Sequence, residues 1–117
     1  MTDEIRKCLQ DIITAIESIE SYLQGRKDFN HYVTDKMLRR AVERELEIIG
    51  EAMNTILAIK PDIQVTNARR IVDTRNRIIH AYDAVNDTVV WSIVIRHLPV
   101  LRDEVALLLL SDDETVG

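Results

Sequence analysis

Apolar residues return at steps of three and four along most of the chain, and that spacing permits one kind of secondary structure. Ile5, Leu9, Ile12, Ile16, Ile19 and Leu23 form a single stripe over residues 3–24, the mark of a helix with one buried face. Gly25 ends it, and residues 25–31 read as a connection from which Phe29, Tyr32 and Val33 pack back onto the core. A second helix is expected from Thr34 as N-cap, with Asp35 in its first turn, where the helix dipole favours an acid. Its apolar face runs from Met37 through Leu46 and Met53 to Leu57, and Pro61 forbids continuation past about Lys60. Residues 66–82 form a third unit, capped by Thr66 and able to break into two pieces. The last helix carries Val90, Trp91, Val94, Leu98, Leu101, Val105 and Leu108, with a kink expected at Pro99 because proline lacks the N–H and crowds the preceding turn.

Three Gly and two Pro are too few turn residues for a sandwich or barrel of many short strands. The expected fold class is therefore all-α: an antiparallel four-helix-type bundle with an extra short helix. At 117 residues the chain is one domain, since domains run at roughly 100 to 200 residues. Residues 1–110 are expected to form it, and residues 111–117 an acidic, frayed tail. Ile12 beside Ile13, Ile48 beside Ile49, and the spread of Val89, Val90, Ile93 and Ile95 exceed what a lone four-helix core needs. Burial in a homodimer would use them.

The net charge of −5 argues against a protein that grips nucleic acid over its whole surface. Its distribution matters more. Residues 67–82 hold Arg69, Arg70, Arg75 and Arg77 against Asp73 alone, whereas residues 83–117 hold two basic and seven acidic side chains. A polyanion would have to be met at this basic island. The single cysteine, Cys8, has no partner for a disulfide and no metal-ligand spacing with His, so it reads as a packing residue. The acidic start Met1-Thr2-Asp3-Glu4 lacks the basic and apolar parts of a signal peptide, and the longest apolar runs fall far short of the roughly 20 residues a bilayer needs. The expected setting is cytoplasmic, with no membrane, no metal and no cofactor.

The densest polar cluster is Arg75-Asn76-Arg77-Ile78-Ile79-His80-Ala81-Tyr82. On a helix, Asn76 and Arg77 lie four and three residues before His80, while Arg75 lies about 7.5 Å back along the axis and about 140° round. One phosphate-sized group is within reach of both Arg75 and His80. An imidazole can move a proton to or from a 2′-hydroxyl or a leaving oxygen, and a guanidinium can clamp the phosphate and stabilise developing charge. The same residues also read as a solvated arginine face with a histidine at a helix C-terminus, and spacing alone favours that plainer reading. No Gly-rich phosphate loop and no Ser or Cys nucleophile in motif context is present. His31 and His97 stand apart from other ligand types and read as structural or surface residues.

Residues 75–82 match the R-x-x-x-x-H-x-Y pattern of the HEPN superfamily, and the chain resembles its HepT-like branch over roughly residues 3–110. Arg44-Glu45-Leu46-Glu47-Ile48-Ile49-Gly50-Glu51-Ala52 is similar to that branch's second-helix signature. Val90-Trp91 with Leu98-Pro99-Val100-Leu101-Arg102 is similar to its last helix. The resemblance implies an all-α homodimer whose two motifs face each other across a cleft, and the toxin of a type VII-like toxin–antitoxin pair. Arg75 and His80 would then be the catalytic pair of a metal-independent endoribonuclease, with Asn76 as the polar residue usual after the arginine and Arg77 beside it. Tyr82 would take AMP from a partner minimal nucleotidyltransferase, the antitoxin, which silences the toxin. Glu47 and Glu51, one turn apart on the second helix, would reach the motif arginines as supporting carboxylates or else remain solvated. A second class stays open, a non-catalytic nucleotide- or substrate-binding subunit that docks on the nucleotidyltransferase. The changes at Val65 and Asp83, where relatives carry aromatics, bear on the RNA preference.

Overall fold

A computed structural model describes the backbone of residues 1–80 and 86–116 and the side chains of residues 1–78 and 86–111. Every element among them is helical. α1 (Asp3–Leu23) starts where the Thr2 hydroxyl accepts the Ile5 N–H at 3.1 Å, with Asp3 and Glu4 in the first turn complementing the dipole. It stops at Gln24, whose left-handed backbone (φ 51°) turns its N–H back onto Glu20 and Ser21, and Gly25 follows at φ 73°.

The expected connection contains a short helix. α2 (Phe29–Thr34) is capped by Asp28, whose carboxylate accepts the Asn30 and His31 N–H groups. Tertiary packing holds it, because Tyr32 is fully buried and stacks on Trp91 with ring centroids 5.1 Å apart, and Phe29 adds a tilted contact at 6.2 Å. The start expected at Thr34 is corrected accordingly: Thr34 closes α2, and Asp35 caps α3 (Lys36–Ile59) by accepting the Leu38 N–H at 3.0 Å.

After Pro61, buried Ile63 and Val65 fasten the link to the core. α4 (Ala68–His80) is one unbroken helix, and its first hydrogen bond runs from the Ile71 N–H to the carbonyl of Asn67. Thr66 is not its cap. The Thr66 N–H and hydroxyl both donate to the Glu104 carboxylate, each at 3.0 Å, so this threonine ties α4 to the last helix instead.

Asn86 caps α5 (Asp87–Ser92) through the Thr88 and Val89 N–H groups. A π-turn over Ile93–His97 then leads into α6 (Leu98–Val116). The Leu98 N–H reaches back five residues to the Ile93 carbonyl, and the wider turn accommodates the proline ring. The disturbance expected at Pro99 thus takes the form of a π-turn just before it. α6 runs on past Ser111, where a frayed tail was expected, to Val116.

Side-chain ties set how the helices sit against one another. The Tyr22 hydroxyl near the end of α1 donates to Glu45 of α3 at 2.9 Å, Arg39 at the start of α3 meets Asp87 at 3.5 Å, and Arg102 of α6 meets Glu20 at 3.0 Å. α1 and α3 pack along their stripes, α4 lies on α3, and α6 lies on α1. Leu9, Ile12, Ile16, Val42, Ile49, Met53, Ile56, Val90 and Val105 fill the centre, each losing nearly all contact with water. Burying one such side chain contributes about 1.5–3 kcal/mol. Cys8 is among the buried residues, and burial pushes its thiol up from the usual value, away from thiolate chemistry. Apolar surface remains on α5 at Val89 and on α6 at Val100, Leu107 and Leu110.

Candidate active site on the arginine helix

α4 divides its surface by register. Ala68 and Val72 are buried, Ile71 and Ile78 are partly buried against the core, and Arg69, Asp73, Asn76 and Arg77 face water. Arg75 belongs to neither group. It lies over Gly50 of α3, where a Cβ would collide with the Arg75 Cβ and stand 3.0 Å from its Cγ and 3.3 Å from the Ile71 carbonyl oxygen. Glycine at position 50 is what allows the two helices to approach this closely.

The close approach sets the arginine's stem against bare helix backbone. Its Nε is buried with no hydrogen-bond partner among the described residues, while Nη1 donates to the Asn76 Oδ1 at 3.0 Å. Packing therefore restrains the stem, and the neighbouring amide restrains the head. A guanidinium held in this way presents its remaining N–H groups with less rotamer freedom left to lose on gripping an anion.

The other residues singled out above are placed as follows. Arg77 is exposed, and among the described residues neither it nor Arg69 makes an ion pair. Glu47 pairs with Arg44 of its own helix at 3.3 Å rather than with the motif arginines, and the Glu51 side chain points to water. His80 is the last residue of α4, five positions beyond Arg75, and its side chain lies outside the described residues. Tyr82 lies outside them altogether. Among the described residues no group of three His, Cys, Asp or Glu side chains is placed to hold a metal ion, and no helix is long and apolar enough to cross a membrane.

Gly50 escaped the sequence reading as a site residue, although a glycine inside a long helix, costing about 1 kcal/mol relative to alanine, is the available signal of a close backbone approach. A second cluster also escaped it. α4 and the π-turn do not close on each other, and a cleft of about 160 Å³ remains, with Arg70 and Thr74 on one side, His97 and Val100 on the other, and Ile71 and Leu101 between. His97 thus lines a cleft facing Arg70, and the signal for it in the sequence is Pro99 two residues on.

Comparison with known proteins follows the same line. The family described as Ribonuclease HepT-like matches residues 12–108. The "Probable ribonuclease HepT" of Thermococcus cleftensis is 37% identical over 98 residues, which span 80% of this chain and 86% of that protein. "Putative RNase MJ1380" of Methanocaldococcus jannaschii is 30% identical over 105 residues, 89% of this chain and 95% of that one. No solved structure matches.

Proposed function

The chain belongs to the ribonuclease HepT-like family, and from that premise we propose that it is an endoribonuclease toxin in which Arg75 and His80 cleave RNA without a metal ion. The His80 imidazole takes the proton of a 2′-hydroxyl, whose oxygen attacks the adjacent phosphorus. The 5′-oxygen of the next nucleotide leaves and takes up a proton, so the products are a 2′,3′-cyclic phosphate and a 5′-hydroxyl. Arg75 holds the non-bridging oxygens as charge builds on them, and Asn76 orients Arg75. The observation that carries this reading is the Arg75 stem packed against Gly50 with its guanidinium held by Asn76. RNA cleavage in EDTA tests it. Arg75→Ala and His80→Ala should each lower the rate at least about a hundredfold, and full activity in either variant, or cleavage abolished by EDTA, removes the mechanism.

Two further parts belong to this reading. Two copies would pair to double the positive field of the arginine helix and to cover apolar side chains such as Leu107, and a monomer mass by light scattering at micromolar concentration would refute the pairing. Tyr82 would be the AMP acceptor of a partner minimal nucleotidyltransferase, acting as antitoxin in the cytoplasm. A phosphate placed near Arg75 and Arg77 would occupy the ground that RNA phosphates need. Incubation with that enzyme, ATP and Mg²⁺ should add one AMP, detected by mass spectrometry and absent from Tyr82→Phe.

A further inference from the structure

The cleft between α4 and the π-turn lies on the side of α4 away from Asn76. By helical register Asn67, Arg70 and Thr74 share one stripe, about 80–140° round from Arg75 in one sense, and Arg77, seven residues after Arg70, falls within about 20° of it, whereas Asn76 lies about 100° round in the other sense. The cleft's apolar walls are Ile71 and Leu101 with Ile93 and Val100 beside them. Beneath it a smaller space of about 20 Å³ reaches inward to Leu46, Ile49 and Leu98, so the floor is apolar as well.

Three of the six polar side chains that line the cleft are already engaged. Thr66 and Glu104 bind each other, and the Thr74 hydroxyl donates to the Arg70 carbonyl at 2.9 Å. The Asn67 amide, the Arg70 guanidinium and the half-buried His97 imidazole are left, and none of the three side chains has a hydrogen-bond or ion-pair partner among the described residues. A free guanidinium, a free imidazole and a free amide lining an apolar slot match a flat ring with apolar faces and a polar edge. The volume, about 160 Å³, is roughly five waters' worth, room for one ring system rather than a whole nucleotide.

We propose that this cleft receives one unpaired base of the RNA, with its faces between Ile71 and Val100 and its edge read by Arg70 and His97. The proposal rests on the ribonuclease reading and adds the part of the substrate that reading leaves unplaced. Unstacked bases are what sequence-selective RNA-binding proteins read, by stacking and by contacts to the base edges. Arg70 and Arg77 sit seven residues apart, about 10.5 Å along α4, and Thr74 is next to Arg75. A strand whose phosphate is held at Arg75 therefore passes the mouth of the cleft within one or two nucleotides.

The test uses 2′-O-methyl hexanucleotides of A, C or U, which bind but cannot be cut, titrated into the full chain while the His97 imidazole signals are followed by NMR. The expected result is a saturable shift at His97 and at least a tenfold difference in affinity between the best and worst base. Arg70→Gln and His97→Ala, each checked for an unchanged helical CD spectrum, should level that difference to within threefold. A His97 signal that stays put at saturating hexanucleotide, or a base preference kept by either variant, overturns the subsite. Cleavage of ordinary RNA is scored separately. A shift at His97 with no cleavage by the wild type would sink the ribonuclease reading and leave the subsite, and cleavage with the same base preference in both variants would sink the subsite alone.

Discussion

Gly50→Ala is the substitution that tests the packing argument most directly. Alanine is the better helix former by about 1 kcal/mol, so helix propensity by itself predicts a more stable protein. Against this, the new methyl would overlap the Arg75 Cβ and stand 3.0 Å from its Cγ and 3.3 Å from the Ile71 carbonyl oxygen. Two of those neighbours are close to or part of the α4 backbone and cannot swing aside as the far end of a side chain can. α4 must move outward, and overpacking of this kind costs about 1–3 kcal/mol. The balance is a net loss of up to about 2 kcal/mol, and at about 4 °C per kcal/mol for a domain of this size the melting temperature should fall by up to about 8 °C. RNA cleavage should fall about a hundredfold, because a displacement near 1 Å at a catalytic group has that effect. Thermal unfolding followed by CD, paired with a double-mutant cycle, separates this contact from general damage. In an Arg75→Gly background the colliding Cβ is gone, and Gly50→Ala should become neutral or stabilising, a coupling of about 1–3 kcal/mol. A rise in melting temperature for Gly50→Ala alone, or strict additivity in the cycle, would refute the reasoning.

Other sites give sharper readings in pH. Burial pushes the Glu43 carboxyl up from its usual value, with Asp87 and Glu47 adding to the shift and Arg40 and Arg39 opposing it. A folded-state value above the unfolded one means stability present at acid pH and lost as the carboxyl ionises, so Glu43→Gln should raise the melting temperature more at pH 7 than at pH 4. An equal effect at both would contradict this. The Tyr32 hydroxyl is buried without a partner among the described residues, and burial pushes its ionisation well above the usual tyrosine range. Tyr32→Phe keeps the stack on Trp91 and should stabilise by up to about 1 kcal/mol at pH 7. It should also abolish the part of the stability loss that sets in above about pH 10, where the unfolded phenol ionises, and a destabilised phenylalanine variant would show that the hydroxyl has a partner. Glu104→Ala removes the acceptor of two Thr66 donors and should cost about 1–2 kcal/mol. Glu104→Gln, which keeps an acceptor, should restore part of it, and an alanine variant as stable as the wild type would mean that water replaces the tie.

The long helices were legible because a buried stripe repeats within one segment, and that repeat needs no knowledge of the partner. α1, most of α3 and the Leu98–Val105 face of α6 follow from spacing, and Pro61 marks the end of α3 for a reason internal to proline. Arg75 with Asn76 was legible for a similar reason, as neighbours on the one basic helix. Caps were less so. Thr34, Asp35 and Thr66 each have the chemistry of an N-cap, and which of them serves depends on competing contacts: α2 persists because Tyr32 finds Trp91 far along the chain, and Thr66 is taken by Glu104.

By itself, the sequence determined that this chain is an all-α bundle of the HepT-like kind, with a net positive charge on one short helix. Periodicity, charge and motif are properties of neighbouring residues, and a helix expresses them wherever it packs. Only the tertiary structure decided that Gly50 lies beneath Arg75, that Glu47 turns to Arg44, and that Arg70 and His97 share a cleft. Each of the first and third facts joins residues more than 20 positions apart, and the second depends on which way a side chain turns once α4 has settled on α3. The distance between two helices is set by the smallest side chain at their crossing and by what surrounds it, and no pattern along a single strand of sequence contains that quantity.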